Sequence, residues 1–365
     1  MRVAVLGAGG TIAPAIVRDL ADSEEIAAMR LIDVNGAKAA ATAEAHGGGK
    51  AEAIELDAAA GGALARELES CGALINSASY RLNLDAMRAC LEAGCHYLDL
   101  GGLYWMAARQ LELSPEFEAA GLLAVLGIGS SPGKTNLMAA RAVAELGGEA
   151  DSLHVCAGGR DLDPPPGESF PYALRTLLDE VTMAPVAIRD GEPVELDPLA
   201  PGGEVDFGDP IGIAPTVNTI HSEMLTFASS FGCREASFRL SLPPAVEARL
   251  RELAGADDEE TARAGSAASP PSSETVSIHL VDATRWGRSV RVRSLTPPHR
   301  DWGLGGGIVS TATPIAAASR LLARGEVDAR GALPPELCLE PAAMFAELET
   351  RGVRFEVEAT QEAGI

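Results

Sequence analysis

The chain has few cations and few aromatic residues, and it lacks a long apolar run. Its 365 residues include 29 lysines and arginines against 52 aspartates and glutamates, which gives a net charge of −23. This balance argues against nucleic acid or an anionic membrane as a partner, because both require a basic face. No apolar run reaches about 18 residues, the length of a membrane-spanning helix, so we expect no membrane span.

Cysteine pairs are also missing. None of the six cysteines stands in a C-x-x-C pair or at the spacing of metal ligands. We therefore expect reduced thiols, no metal ion and a cytoplasmic location. The composition, 47% hydrophobic and 22% charged, is that of a globular chain, and the length predicts two domains with sizeable cores.

A short apolar strand that ends in glycines begins the chain. Residues 3–6 (VAVL) run into residues 7–12 (GAGGTI) and then into a helical segment rich in Ala, Ile and Val. This pattern indicates the first strand, turn and helix of a dinucleotide-binding domain, in which Gly7 allows the tight turn. Gly9 lets backbone N–H groups approach a pyrophosphate at the helix N-terminus, where the helix dipole favours anions. The alternative is an ordinary glycine turn in an α/β sheet without a ligand.

The glycine fingerprint departs from its usual form at Ile12, which occupies the position of the third glycine. That glycine normally lets the helix pack closely on the strand. Either the helix lies slightly further out in this chain, or the small residues Gly10 and Ala13 provide the close approach.

Asp33 strengthens the dinucleotide interpretation. It ends a second predicted strand and lies 21 positions beyond Ile12, close to where the fingerprint places the carboxylate that binds the adenosine ribose. Val34 and Asn35 follow it, without a nearby arginine to hold a 2′-phosphate. We therefore expect NAD rather than NADP as the cofactor. The alternative role of Asp33 is that of a surface acid at a strand end.

Strands and helices alternate up to residue 136, with one of the predicted helices at residues 61–69. This alternation predicts an α/β Rossmann fold, a doubly wound parallel sheet whose ligand crevice lies at the carboxyl ends of the strands. Loops at that edge would supply the cofactor contacts. The expected contacts are Gly7, Gly9, Gly10, Thr11, Ile12, Asp33, Val34, Asp57, Asn76, Ser77, Ala78, Tyr80 and Gly101.

Beyond residue 146 the pattern becomes that of an α+β region. Asp190-Gly191 favours a type I′ hairpin between two short strands, and Trp286-Gly287 marks the turn of a longer hairpin. Residues 255–273 are rich in Ala, Ser, Pro and acids and predict a mobile surface loop. Glycines at 303–307 lead into a helix at residues 309–323, which we expect to pack on the first domain.

Motifs spread over most of the chain resemble those of the saccharopine dehydrogenase-like oxidoreductases, and among these the lysine 6-dehydrogenases. The matching motifs are Asp99-Leu100-Gly101-Gly102, Ser131-Pro132-Gly133 with Asn136, Gly158-Gly159, His221-Ser222 with Thr226, and Thr311-Ala312-Thr313-Pro314. The resemblance implies a Rossmann domain (1–135), an inserted α+β substrate and dimerisation domain (136–306), and a return to the Rossmann domain (307–365). It also implies a homodimer.

The same resemblance implies an NAD(P)-dependent oxidoreductase that acts on the CH–NH or CH–NH2 group of an amino acid or related amine. An alternative within the family is an enzyme similar to saccharopine reductase, which condenses an amine with a carbonyl acid and uses NADPH. The alternative from another class is a non-catalytic NAD(P)-sensing protein. Both enzyme hypotheses require a small amine or amino acid as the substrate.

Oxidation of an amine requires a general base, which collects protons and activates water for hydrolysis of the imine. Asp99 is the first candidate, because it ends a strand at the crevice. Its alternative role is to cap the turn at Gly101 and Gly102.

Lys134 opens a helix in a glycine-rich loop and is a candidate for a base or for binding a substrate carboxylate. Its alternative role is that of a solvated lysine near the cofactor phosphates. His221 has a suitable intrinsic pKa, and a structural histidine is its alternative.

Candidate substrate contacts come from both regions of the chain. They are Tyr80, Gly102, Arg160, Tyr172, His221 and Thr226. Arg160 is a candidate for clamping a carboxylate through two hydrogen bonds, and a solvated arginine is the alternative. Tyr80 and Tyr172 either line a pocket or pack in a core.

Overall fold

The computed structural model describes residues 1–60 and 62–361, so Gly61, where the predicted helix 61–69 begins, lies outside them. In the described part of the chain the strands are β1 (Arg2–Leu6), β2 (Ala28–Asp33), β3 (Ala51–Glu55), β4 (Ala73–Asn76), β5 (His96–Asp99), β6 (Leu123–Val125), β7 (Ser152–Asp161), β8 (Val186–Arg189), β9 (Glu192–Glu195), β10 (Pro201–Asp206), β11 (Ile213–Asn218), β12 (Glu235–Ser241), β13 (Thr275–Arg285), β14 (Arg288–Thr296), β15 (Gly331–Leu333) and β16 (Arg354–Gln361). The helices are α1 (Ala13–Ala21), α2 (Gly36–His46), α3 (Ala63–Leu68), α4 (Asn83–Ala93), α5 (Leu103–Leu111), α6 (Ser114–Ala119), α7 (Lys134–Glu145), α8 (Leu174–Thr182), α9 (Glu223–Phe231), α10 (Pro244–Leu253), α11 (Asp258–Ala267), α12 (Gly306–Ala323), α13 (Pro335–Cys338) and α14 (Pro341–Glu349). Short 3-10 turns lie at Tyr80–Leu82 and Arg300–Trp302.

The chain divides into two compact units. The first unit combines Met1–Asn136 with Thr311–Leu348, and the second unit combines Leu137–Ser310 with the chain from Glu349 onward. The predicted return to the Rossmann domain over residues 307–365 is therefore wrong for the last strand. β16 pairs antiparallel with β14 of the second unit. The backbone N–H and C=O groups of β16 form hydrogen bonds with those of β14. No local sequence pattern encodes this pairing.

The first unit is built on a sheet with the order β3-β2-β1-β4-β5-β6-β15. All its strand pairs are parallel. This topology confirms the predicted doubly wound Rossmann sheet, whose strand order reverses between β1 and β4. In β1 the four residues after Arg2 are buried, as expected for a strand covered on both faces. The loops that follow the parallel strands consequently share one edge of the sheet.

Local sequence explains where several helices begin and end. The side chain of Asn35 caps α2 by accepting the N–H of Lys38 at 3.1 Å. α4 ends at Gly94, whose φ of 73° is left-handed, as the sequence predicted. Pro14 lies in the first turn of α1, where the missing N–H had no partner in any case.

The second unit is built on a mixed sheet with the order β10-β11-β12-β7-β13-β14-β16, with β8 on β12 and β9 on β8. β12 and β7 are parallel, and the other pairs are antiparallel. Both predicted hairpins are confirmed. Asp190-Gly191 joins β8 to β9 and Trp286-Gly287 joins β13 to β14, and all four residues have the positive φ that a type I′ turn requires.

The mobile loop predicted at residues 255–273 is wrong for its middle part, which forms α11. Asp257 caps this helix by accepting the N–H of Glu260 at 2.8 Å. Asp followed three residues later by Glu is a helix-start signal that the compositional argument overlooked. Ala264 of α11 is buried in an apolar cluster with Leu174 and Leu177 of α8, which stabilises the helix.

A buried ion-pair network joins α12 to α1 and α14 within the first unit. Arg320 donates to Asp19 Oδ1 at 2.8 Å and to Glu347 Oε2 at 2.7 Å. The side chains of Arg320 and Asp19 are both buried. Removal of one partner from such a network leaves buried charge without its counter-ion.

We expect Arg320→Met to lower the free energy of unfolding by about 3 kcal/mol, because the buried Asp19 keeps its charge and loses the Arg320 guanidinium, whereas Glu347 still pairs with Arg324 at 2.7 Å. Chemical denaturation followed by circular dichroism measures the change. Arg18→Met removes an exposed 3.5 Å pair with Asp22 and should cost less than about 1 kcal/mol. Equal losses of unfolding free energy in Arg320→Met and Arg18→Met would show that burial does not determine how much an ion pair contributes to stability.

Three further findings concern the expected thiols, metal ions and membrane spans. All six cysteines are free thiols; five are buried and Cys338 is half-buried. Among the described residues, no group of His, Cys, Asp and Glu has the arrangement of a metal site. Within residues 1–60 and 62–361, no helix is both long enough and apolar enough to cross a membrane.

Candidate functional site

The glycine turn after β1 forms a backbone cradle. Gly7 has a φ of +79°, and a Cβ there would lie 2.6 Å from Ala78 N, so the loop after β4 passes directly against it. A Cβ on Gly9 would lie 2.7 Å from Lys38 Cβ. Glycine is therefore required at both positions. The cradle lies at the N-terminus of α1, whose first turn has no acidic residue, and it fits the pyrophosphate of a dinucleotide.

The start of α1 explains how the turn forms without a third glycine. Ile12 precedes the helix and is only half-buried, whereas Ala13 is fully buried. Gly10 donates its N–H to Gly7 O at 2.9 Å and closes the turn, and Thr11 is exposed. The burial of Ala13 supports the alternative in which small residues, rather than a glycine at position 12, face the sheet.

Asp33 keeps acceptor capacity for a ribose. Its Oδ2 accepts the N–H of Gly9 at 2.8 Å, and its Oδ1 accepts the N–H of Asn35 at 2.8 Å. Each carboxylate oxygen has two lone pairs, so one acceptor position on each remains for a hydroxyl. The side chain is half-buried, and Val34 beside it is exposed. The glycine turn itself thus orients the carboxylate.

Two other predicted cofactor contacts, Asp57 and Tyr80, follow strands of the same sheet and are at least partly exposed to solvent. Asp57 after β3 is exposed, and its Oδ1 accepts the N–H of Ala59 at 2.9 Å. Tyr80 is half-buried in the 3-10 turn after β4, with the Arg81 guanidinium 4.8 Å from its ring centre.

The side chains of Asn76 and Ser77 hold the backbone of the loop after β4. Asn76 donates to Asn83 Oδ1 at 2.8 Å, and its Oδ1 accepts the N–H of Ala78 at 3.1 Å. Ser77 Oγ donates to Leu6 O at 2.8 Å. These hydrogen bonds fix the loop, and the Ser77 hydroxyl keeps acceptor capacity.

Asp99 is a buried carboxylate surrounded by donors. Oδ1 accepts the N–H groups of Gly101 (2.9 Å) and Gly127 (2.6 Å), and Oδ2 accepts Tyr97 Oη (2.9 Å), Gln110 Nε2 (2.6 Å) and Asn83 Nδ2 (3.1 Å). A carboxylate has about four lone pairs, so none remains for a substrate. Burial raises the pKa of Asp99, against the opposing effect of these hydrogen bonds. Of its two predicted roles, the geometry matches the capping role and does not support the general base.

The two motifs that carry the family resemblance in the first unit meet at this carboxylate. A Cβ on Gly127 would lie 2.7 Å from Pro132 Cγ, and one on Gly101 would lie 3.0 Å from the same atom. The proline ring of the second motif thus packs on the two glycines whose N–H groups bind Asp99. Both motifs therefore fix the loops after β5 and β6, and neither is a set of reactive side chains.

Lys134 is fully buried at the first turn of α7, in the chain that follows β6. Its backbone N–H donates to Gly129 O at 2.9 Å, and Asn136 Oδ1 accepts the N–H of Gly133 at 2.8 Å. Burial lowers the pKa of Lys134 to about 7, because the charged form loses its hydration. The solvated alternative is therefore wrong. A lysine with this pKa can accept and donate protons at neutral pH.

His221 lies in a buried cluster of ionisable groups in the second unit. Its ring stacks on Phe238, with ring centres 3.5 Å apart, and its Nδ1 lies 3.4 Å from Glu223 Oε2. Burial lowers the pKa of His221, but the carboxylates of Glu223 and Glu180 raise it by more, so the net shift is upward. Tyr172 donates its hydroxyl to Glu180 Oε2. The structure thus brings two predicted residues, Tyr172 and His221, together with two glutamates.

Three other predicted substrate contacts, Arg160, Thr226 and Gly102, are fixed by the strand, helix or loop that carries them. Arg160 donates through one terminal nitrogen to Pro210 O at 2.8 Å, so part of its fork is already occupied. Thr226 is buried on α9, one turn beyond Glu223. Gly102 is buried at the start of α5, where a Cβ would clash with the side chain of Gln110.

Sequence reasoning missed Asn83, Gln110, Glu180 and Glu223. All four lie in helices, where a polar residue ordinarily marks the solvent-facing side. A usable signal existed only for Glu223, an acid two positions after the histidine of a matched motif. Asn83, Gln110 and Glu180 can be recognised only from the burial of their side chains in the tertiary structure.

Comparison with known proteins supports the fold and the resemblance. Residues 3–125 match the family model of the saccharopine dehydrogenase NADP binding domain. This match covers β1 to β6 of the first sheet. The family description names NADP, whereas Asp33 favours NAD, and the class common to both is a nicotinamide dinucleotide.

Two relatives extend the comparison. Carboxyaminopropylagmatine dehydrogenase of Synechocystis sp. (strain ATCC 27184 / PCC 6803 / Kazusa) is 28% identical over 265 residues, which cover 69% of this chain and 65% of that protein. The match therefore spans somewhat less than two thirds of the curated relative. Apo saccharopine dehydrogenase (L-Glu forming) of Saccharomyces cerevisiae superposes with a TM-score of 0.70 at 16% identity, over 98% of this chain and 99% of that chain. At that identity the structural match shows the fold alone, and likeness to the lysine 6-dehydrogenases stays a prediction.

Proposed function

We propose that this chain is an NAD(P)-dependent oxidoreductase acting on the CH–NH or CH–NH2 group of an amino acid or related amine. The observation that carries the proposal is the sheet edge of the first unit. There, the glycine cradle follows β1, a half-buried Asp33 with free acceptor capacity ends β2, and the buried base Lys134 lies in the chain after β6. The names of both relatives, which are dehydrogenases, support the same class of reaction.

When bound, a nicotinamide ring accepts a hydride from the carbon that bears the amine. The backbone around Gly7 and Gly9 would hold the pyrophosphate at the N-terminus of α1, and Asp33 would accept hydrogen bonds from the ribose hydroxyls. The remaining chemistry is proton transfer. One proton must leave the substrate nitrogen, and others leave the water that hydrolyses the imine.

We assign the proton transfers at the sheet edge of the first unit to the buried base Lys134. His221 lies in the second unit and is assigned no step. Lys134 activates water, since a lysine with a pKa of about 7 is substantially neutral at physiological pH and its protonated form would repel an ammonium. Asp99 is assigned no proton transfer, because five donors occupy its carboxylate.

The names of the relatives contain saccharopine and carboxyaminopropylagmatine, and they support an amine or amino-acid derivative as the substrate. The second candidate function is the reverse reaction, in which an amine condenses with a carbonyl compound and the imine is reduced. Asp33 disfavours NADPH in this reaction, because its charge repels a 2′-phosphate.

A spectrophotometric panel tests the proposal. Purified protein is mixed with NAD or NADP and with lysine, ornithine, diamines, saccharopine or carboxyaminopropylagmatine, and absorbance of the reduced nicotinamide is followed. Reduction with one of these amines is the expected result. Tight cofactor binding without turnover of any of them, in either direction, would replace the proposal with the non-catalytic sensor.

Cofactor choice gives a separate prediction. Asp33→Asn should lower kcat/KM for NAD roughly 10- to 100-fold, because charge-assisted hydrogen bonds of about 1.5–3 kcal/mol are weakened. The same variant should gain activity with NADP, since the charge that repels the 2′-phosphate is gone. Asp22→Asn, at the exposed far end of α1, is the matched control. An unchanged NAD-to-NADP ratio in Asp33→Asn would show that Asp33 does not contact the ribose.

We also propose a homodimer and a cytoplasmic location. The dimer rests on the family resemblance, and the location rests on reduced cysteines in a strongly acidic chain. Sedimentation velocity at micromolar concentration tests the dimer, and cell fractionation tests the location.

A further inference from the structure

Asp33 and Glu55 end two neighbouring parallel strands at the same level. Asp33 is the last residue of β2, Glu55 is the last residue of β3, and the two are register partners. The N–H of Leu56 donates to Asp33 O at 2.9 Å, so the pairing of the two strands continues past Glu55. Register partners on parallel strands lie about 4.8 Å apart, with their side chains on the same face of the sheet. The two acids are therefore neighbours at the edge that carries the glycine cradle.

The Glu55 side chain extends from β3 onto the first residue of α2. A Cβ on Gly36 would lie 2.8 Å from Glu55 Cβ and 2.4 Å from Glu55 Oε2. Glycine at position 36 thus leaves room for the glutamate, whose carboxylate lies against the backbone at the start of α2. The N-terminus of a helix favours negative charge, and the first turn of α2 contains no acidic residue of its own. Glu55 supplies that charge from the adjacent strand.

Lys38, in the first turn of α2, brings a cation to the same junction of β2 with α2. Its Cβ lies beside the cradle, since a Cβ on Gly9 would be 2.7 Å away from it and 3.2 Å from Asp33 Oδ2. Glu55 and Lys38 are exposed, and Asp33 is half-buried. All three side chains can therefore be reached from solvent, and Lys38 offsets part of the negative charge of the two acids.

We propose that Glu55 is a specificity-determining residue that, together with Asp33, selects NAD against NADP. This inference rests on the proposed function, in which Asp33 accepts hydrogen bonds from the ribose hydroxyls. NADP differs from NAD by a phosphate on the 2′-oxygen of that ribose, and dinucleotide-binding domains that take NADP accommodate the phosphate with a nearby arginine. Here the carboxylate of Glu55 lies at the start of α2 instead. A 2′-phosphate at Asp33 therefore meets a second negative charge, the repulsive element on which discrimination between similar ligands depends.

Calorimetric titration of the full chain with NAD and with NADP tests the inference without turnover. Glu55→Gln keeps the size of the side chain and removes its charge. We expect this variant to bind NADP roughly 3- to 10-fold more tightly than the wild-type chain, with NAD binding changed less than about 2-fold, the effect of one exposed charge at short range. Glu55→Lys should bind NADP more tightly still, because it places a cation at the start of α2. The double variant Asp33→Asn with Glu55→Gln should bind NADP more tightly than Asp33→Asn alone.

Salt dependence supplies a readout that a merely structural glutamate would not change. Raising the ionic strength from about 0.01 M to about 1 M shortens the screening length from about 30 Å to about 3 Å. The wild-type preference for NAD should therefore shrink with added salt, and the preference of Glu55→Gln should shrink less. Glu44→Gln, an exposed position in the last turn of the same helix α2, is the matched control and should change neither the preference nor its salt dependence.

Three results would overturn the inference alone, with the proposed function intact. The first is a Glu55→Gln variant with the wild-type ratio of NADP to NAD dissociation constants, whereas Asp33→Asn changes that ratio. The second is an equal loss of affinity for both cofactors in Glu55→Gln, which would indicate a structural glutamate. The third is a wild-type chain that binds NADP more tightly than NAD. A wild-type chain that binds neither dinucleotide would overturn the proposed function and the inference together.

Discussion

Lys134→Met is expected to lower kcat for amine oxidation by about 10²- to 10⁴-fold, the usual contribution of a general base. The lysine is fully buried, and its pKa is lowered to about 7, so wild-type activity should rise with pH as this amine loses its proton. The variant should still bind the cofactor, because the glycine cradle and Asp33 are intact. Steady-state kinetics from pH 6 to 9 and titration with the cofactor measure the two effects.

Lys134→Arg provides the control for charge. A guanidinium keeps its proton at all accessible pH values, so this variant should be as inactive as Lys134→Met although the positive charge remains. Activity retained in Lys134→Arg would show that the residue supplies charge rather than a base.

The pH dependence of stability provides a second check on Lys134. Its folded pKa of about 7 lies below the unfolded value of roughly 10.4. The unfolded chain therefore binds more protons between these values, and the free energy of unfolding should rise with pH across that window. This rise should be smaller in Lys134→Met. An identical pH dependence in both proteins would contradict the lowered pKa.

Asp99→Ala is expected to lower the free energy of unfolding by at least about 4 kcal/mol. Five donors point at this carboxylate, and each buried donor left without a partner costs about 1–3 kcal/mol, less whatever is recovered by relaxation. Denaturant titration followed by circular dichroism measures the loss. Because the loops after β5 and β6 depend on Asp99, cofactor affinity should also fall.

Asp57→Ala is the matched control for the stability effect. Asp57 also follows a strand of the same sheet, but it is exposed and accepts one N–H, that of Ala59. Its removal should cost less than about 1 kcal/mol. A stable Asp99→Ala protein with normal cofactor affinity and no turnover would return Asp99 to the role of general base.

The sheet of the first unit was predictable because its signals are local. A buried strand that ends in Gly7 and Gly9, followed by a helix, specifies a backbone conformation that few other residues allow. Asp33 was also predictable, since a fixed chain length separates it from the turn. For α11 the local signal, Asp257 followed by Glu260, predicts a helix. The prediction of a mobile loop relied on composition instead and was wrong for this segment.

The sequence alone determined the parallel Rossmann sheet, its glycine cradle and the acid placed for a ribose, because backbone conformation and the ends of parallel strands are encoded by neighbouring residues. Tertiary structure decided which ionisable side chains can react. Asp99 ends β5 and Lys134 follows β6 of the same sheet, yet Asp99 is saturated by five donors and Lys134 is a buried amine with a lowered pKa. Those surroundings come from residues distant in the chain, such as Gln110 for Asp99 and Phe238 for His221, and burial depends on that packing.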